Sequence, residues 1–170
     1  MKSSNDPYKL EKTVWSDADF EQMGWHDCYI HGISFGNGSE ENGTSDLLMD
    51  IDYIFGWVNP IEPDRFFKFW IAPCTLVFEN TMTLEMSIDE QEGLAFVPFQ
   101  ISDITILDRL RRGSDPYGYH WKVWLQSGYL KIKSYGFKQY VRRNPVQVPR
   151  QYLSLEERKG ISFLKEYSES

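Results

Sequence analysis

Leu47, Met49, Ile51, Tyr53 and Phe55 recur at every second position, and Asp46, Asp50 and Asp52 fall between them with Leu48 and Ile54. Alternation of period two over this length predicts an antiparallel strand with one buried face. Met82, Leu84, Met86 and Ile88 alternate in the same way with Thr83, Glu85, Ser87 and Asp89. Tyr119, Trp121, Val123 and Leu125 alternate with His120, Lys122, Trp124 and Gln126, followed by Ser127-Gly128 and then by Leu130 and Ile132 against Lys131 and Lys133. Two alternating runs around a Ser-Gly pair predict a β-hairpin. Further strands are expected over 28–35, 66–72, 75–79 and 99–107, with Pro73 marking an edge, a bulge or a corner. Residues 36–45, rich in Gly and Asn, read as a flexible hairpin loop and Arg109–Gly118 as a charged one.

Two short helices are predicted. Ser16 can cap one that runs to Met23 and stops at Gly24, with Asp17 and Asp19 at its positive end. Ser154-Leu155-Glu156-Glu157 is a capping-box pattern, and Lys159-Gly160 closes the turn after it. Ile161–Phe163 reads as a small last strand. Seven to nine short strands at regular spacing predict a mainly β protein: a single-domain antiparallel β-sandwich, barrel or highly curved sheet with one or two short helices. Residues 14–165 form that domain, between a loose polar segment at 1–13 and a tail at 166–170. The 170-residue length fits one domain. Composition agrees, with 3 Ala against 12 Ile, 8 Val and 27 aromatic residues.

The charge is uneven. Residues 1–108 carry 5 basic and 20 acidic groups, and residues 109–170 carry 13 and 5, for a net charge of −7. Either the halves pair across neighbouring strands or the acidic part presents a face to a basic partner. The overall acidity argues against nonspecific nucleic-acid binding, although a local basic patch is compatible with it. Tyr129, Lys131, Lys133, Tyr135 and Phe137 form one such basic and aromatic row. No apolar run reaches the ~18 residues of a membrane span. The opening Met1-Lys2-Ser3-Ser4-Asn5-Asp6-Pro7 carries no secretory pattern, so a cytoplasmic location is expected. Cys28 and Cys74 lack metal-motif spacing and a basic context, and two reduced, buried thiols are expected.

Candidate chemistry gathers at Trp25-His26-Asp27 and at Asp50 and Asp52. His26 can act as a base or ligand, and the aspartates can orient an imidazole or bind a hard cation. Asp50 and Asp52 share a strand face, being two residues apart. In a hairpin with 28–35, however, His26 and Asp27 fall nearer Phe55 to Trp57 than Asp50. These five residues are therefore binding candidates, with no catalytic or metal-ligating set and no cofactor expected. No nucleophile elbow, zincin motif, P-loop or dinucleotide fingerprint is present.

At Met23-Gly24-Trp25-His26-Asp27, Leu48-Met49-Asp50-Ile51-Asp52-Tyr53-Ile54 and Trp70–Glu79, the sequence resembles a group of uncharacterised bacterial proteins, over residues 14–165. The step from His-Asp into the first strand is similar to that of some small immunity proteins of bacterial toxin systems. That resemblance implies an acidic, β-rich, cytoplasmic protein that binds a toxin, and the likeness to the uncharacterised group supplies no catalytic residues. The expectation is a non-catalytic interaction protein with a basic protein partner. A small-molecule-binding β-barrel and a metal-assisted hydrolase using His26 and the aspartates are the alternatives.

Overall fold

The computed structural model describes residues 7–36, 45–88 and 99–169. Ten strands are present among them: β1 (Val14–Ser16), β2 (Tyr29–Phe35), β3 (Ser45–Val58), β4 (Lys68–Thr81), β5 (Thr83–Ile88), β6 (Ile101–Arg112), β7 (Asp115–Leu125), β8 (Gly128–Ser134), β9 (Gly136–Val141) and β10 (Val146–Val148). The first sheet has the order β1-β9-β4-β3-β2, with β10 also on β4, and the second has the order β5-β8-β7-β6. All pairings are antiparallel.

The sheets join on both sides. β4 leads into β5 and β8 into β9, and each pair stays bonded around the corner, with Tyr135 N donating to Glu79 O at 2.9 Å and Met82 N to Lys133 O at 2.8 Å. On the opposite side Asp27 N donates to Ile101 O at 2.9 Å, Ile101 N to Cys28 O at 2.8 Å and Ile30 N to Phe99 O at 2.7 Å. Backbone bonding thus runs around a closed circuit, β2-β3-β4/β5-β9/β8-β7-β6 and back to β2, and forms a flattened barrel.

Register decides what fills it. Leu47, Phe78 and Phe137 lie opposite one another across β3, β4 and β9, and Met49, Leu76 and Gln139 form the next inward row. Trp121, Val123, Leu130 and Ile132 close the interior from the other sheet. The helix at the barrel end is a 3-10 helix, Asp17–Gln22, with both bonds of the Ser16–Asp19 capping box made. Its Phe20 lies 5.7 Å from Trp25 and 5.5 Å from Trp121, ring centre to ring centre, and plugs the opening.

The structure corrects several expectations. Pro73 interrupts nothing: β4 is continuous and central, and Pro73 faces Asp52 in register. Its carbonyl accepts from Arg142 N at 3.0 Å on the side where β4 changes partner from β10 to β9. The missing proline N–H points into that same changeover, so no ladder bond is lost. The charged loop at 109–118 is instead the far end of the β6–β7 hairpin, turning at Gly113. The row from Tyr129 to Phe137 splits at the corner, because Phe137 turns inward on β9. Residues 154–160 make the expected capping bonds but only turns, and 161–163 form no strand. Residues 7–13 are not loose: the Tyr8 ring packs 5.6 Å from Trp70 and 5.7 Å from Phe55. The 36–45 loop falls largely outside the described residues.

Gly128 sits at φ 150°, and a Cβ there would come 1.9 Å from the Ser87 carbonyl oxygen on β5. Gly128→Ala is expected to lower stability by roughly 1–3 kcal/mol through strain and displacement of β5. Gly24→Ala, where a Cβ meets nothing within 4 Å, should change stability little. Urea denaturation of the two variants checks the contrast.

Candidate functional site

The outward row of β3 is not a solvent face. Asp50 and Asp52 are both 0% exposed. Chain after β9 folds back over this row. Ile161 and Phe163 pack on Gly32, where a Cβ would come within 3.0 Å and 3.2 Å of them and push them back by a few tenths of an ångström. Thr75 Oγ1, opposite Asp50, donates to Leu164 O at 2.6 Å. Ser168 N donates to Arg142 O at 2.8 Å.

Every carboxylate oxygen of the pair is occupied. Asp50 Oδ1 accepts from Arg142 Nη2 at 2.6 Å and Arg158 Nη2 at 2.7 Å. Asp50 Oδ2 accepts from Arg158 Nη1 at 2.6 Å and Ser162 N at 2.8 Å. Asp52 Oδ1 faces Arg158 Nε at 3.3 Å, and Asp52 Oδ2 contacts His31 Nε2 at 2.7 Å and accepts from Leu153 N at 2.8 Å. Arg142 Nη1 donates to Thr75 Oγ1 at 2.8 Å and Ser162 O at 2.6 Å, and Arg158 Nη1 also donates to Gly160 O at 3.0 Å. Burial alone raises the Asp50 pKa, but the hydrogen bonds from Arg158, Arg142 and the Ser162 amide outweigh it and hold the carboxyl below its ordinary value. Burial likewise acts to lower Arg158, and its bond to Asp50 reverses that.

Two carboxylates and two guanidiniums bonded in this way form a clasp between the barrel and its C-terminal segment. Each carboxylate oxygen already faces a donor, and the guanidiniums repel a cation. Among the described residues no group of three or more His, Cys, Asp and Glu side chains is placed to hold a metal.

The other candidates lie apart from the clasp. Trp25 is buried in the core, its Nε1 donating to Gln139 Oε1 at 2.9 Å. His26 Nδ1 lies 3.0 Å from Asp27 Oδ2 with its side chain 71% exposed, and its ring lies 6.4 Å from that of Trp57. Asp27, at φ 65°, forms the corner before β2 and accepts from Gln151 Nε2 at 2.8 Å. The five residues therefore occupy three places: the core, the corner before β2, where only His26 is exposed, and a buried clasp. The hydrolase geometry, which needs them around one centre, is absent. The barrel interior is filled by side chains, Trp25, Trp121, Phe78 and Phe137 among the largest, and leaves no ligand chamber among the described residues. Cys28 and Cys74 are buried free thiols, and burial pushes Cys28 up to about 12, far from a reactive thiolate.

Comparison settles no identity. No family model, curated protein or solved structure matches this chain. No helix among the described residues is long and apolar enough to cross a membrane.

Sequence reasoning missed Arg142 and Arg158. Two signals were present: the acid-to-base split along the chain, and Leu48 and Ile54 in the same row as Asp50 and Asp52. Apolar residues on that row imply that it too is covered.

Two outcomes follow. Arg158→Ala leaves two buried carboxylates short of partners and is expected to cost ~3–5 kcal/mol, with new protease cleavage between 150 and 168. Chemical denaturation and limited proteolysis read both effects. Because the Asp50 pKa is depressed on folding, its contribution is complete above the unfolded value of ~3.9 and is lost as pH falls through the lower native value. An acid titration should therefore show the C-terminal segment becoming protease-sensitive below about pH 4 and not at neutral pH.

Proposed function

We propose that this chain is a non-catalytic binding protein that docks a basic protein partner, in the manner of an immunity protein holding a toxin. The observation that carries the reading is the tip of the β3–β4 hairpin. Trp57, Ile61, Phe66 and Phe67 leave 49, 74, 78 and 43% of their surface exposed there. Large apolar side chains exposed together mark contact surfaces, whereas single ones are ordinary.

The Trp57 ring is braced, lying 4.9 Å from Phe69 and 5.9 Å from Phe67 in edge-on contacts. A ring held in place loses little rotamer freedom on docking. The exposed His26 borders it. Asp50 and Asp52 cannot serve as the acidic capture face, since both are neutralised inside. What remains is the net charge of −7, which speeds encounter with a basic partner while the apolar tip supplies affinity.

A photo-crosslinking residue placed at Phe66, in the cells that make the protein, tests this. The expected result is one defined adduct with a basic protein, lost on Trp57→Ala and not formed from the same residue at Thr83 on the second sheet. No adduct at Phe66, or the same adducts from both positions, overturns the reading.

A further inference from the structure

We propose that the outer face of the second sheet is a track for single-stranded nucleic acid, separate from the hairpin tip. The register places Ser87, Tyr129, Trp124 and Asp103 in one outward row and Glu85, Lys131, Lys122 and Thr105 in the next. Thr83, Lys133 and His120 follow. Along β8 the outward positions read Tyr129, Lys131, Lys133, and Tyr135 stands two residues further on, 44% exposed and 6.1 Å from the Tyr117 ring. Arg112 lies over Tyr117 at 5.1 Å. From Tyr129 to Tyr135 the path is ~20 Å at the usual strand rise. That suits about four nucleotides, the lower end of known single-strand sites.

One feature of the face is unfavourable without a further anion. Lys122 and Lys131 are directly opposed across β7 and β8, a like-charge pair that costs stability. Lys122 Nζ lies over the rings, 3.3 Å from the centre of Trp124 and 4.5 Å from that of Tyr129. Burial and the facing Lys133 and Lys131 lower the His120 pKa, while Asp108 and Glu85 act the other way. The acidic groups stand on the outer strands: Glu85 on β5, 3.7 Å from Lys131 and accepting from the Tyr129 hydroxyl, and Asp103 and Asp108 on β6. Between them, the outward basic positions of β7 and β8 are Lys122, Lys131 and Lys133, with His120 beside Lys133. The lysines thus form a central stripe of the face between acidic edges.

A phosphate between Lys122 and Lys131 relieves their repulsion and draws Lys122 off the rings. Trp124, 41% exposed with its indole N–H held by Thr105 Oγ1 at 3.0 Å, then offers a fixed ring face for a base. An acidic peptide would satisfy the lysines but leave the freed rings unused, which is why nucleic acid fits better. A duplex hides its bases from such rings.

The test is fluorescence anisotropy with the full chain and labelled oligothymidylate or oligouridylate of about 12 nucleotides at low salt. The expected result is saturable binding whose log affinity falls against log salt with a slope of about −2, from ~0.7 per phosphate held by three lysines. Lys131→Glu with Lys133→Glu should weaken binding at least ~10-fold and Trp124→Ala at least ~5-fold, both with wild-type melting curves. Should the double charge reversal fail to fold, Lys131→Gln serves in its place with a smaller loss in the same direction. No binding at low salt overturns the proposal. So does equal affinity for a duplex, or binding reproduced by polyglutamate and indifferent to Trp124→Ala, which would assign the face to an acidic protein.

Discussion

Two aspartates two residues apart on an interior strand of a sheet must be solvated or paired. In this protein neither touches water. Removing an ionised carboxylate from water costs several kcal/mol even after relaxation, so the pair dictates what happens around it. Arg142 arrives at the end of β9 and Arg158 comes from a turn sixteen residues later. Together they draw the last part of the chain across the outer face of the first sheet. Leu153 and Ser162 donate backbone N–H groups to the same carboxylates, which fixes the register of the returning segment. A buried ion cluster of this type need not exceed well-packed apolar residues in stability. Its contribution here is specificity, since few arrangements of residues 142–168 would satisfy both carboxylates.

The strands were largely legible because alternation of period two is a local property. β3, β7 and β8 follow from the spacing of their apolar residues. What a local reading could not supply was partnership. Asp50 and Asp52 read equally well as solvent-facing or metal-binding residues until the C-terminal chain is placed above them, some ninety residues away in sequence. Pro73 read as a break because its tolerance depends on β9 giving way to β10 beside it. The turn at 154–160 carried correct capping chemistry, yet its geometry was set by the bonds of Arg158 rather than by helix propensity. The charge split found its explanation in part through pairs such as Asp50 with Arg142 and Arg158, and Glu79 with Lys138 at 2.9 Å.

Function then shifts from the motif to the surface. With the aspartates closed off and Trp25 in the core, the chemistry still open to a partner lies elsewhere: aromatic rings at the β3–β4 tip, and lysines over rings on the second sheet. The lysines and their rings sit on strands of the closed barrel, and at the tip Trp57 is on β3 and braced by Phe69, so both surfaces have a fixed base on which a partner can dock. The clasp serves them indirectly, by completing the first sheet from which the β3–β4 hairpin projects.

The dependence on the clasp is tested most directly by native-state hydrogen exchange at the Leu153 and Ser162 amides. If both carboxylates hold the returning segment, these two amides exchange as slowly as those of β3 and β4, and in an Asp50→Asn variant Ser162 becomes fast while the strands stay protected. Rapid exchange at both amides in the unaltered protein would contradict a clasped segment.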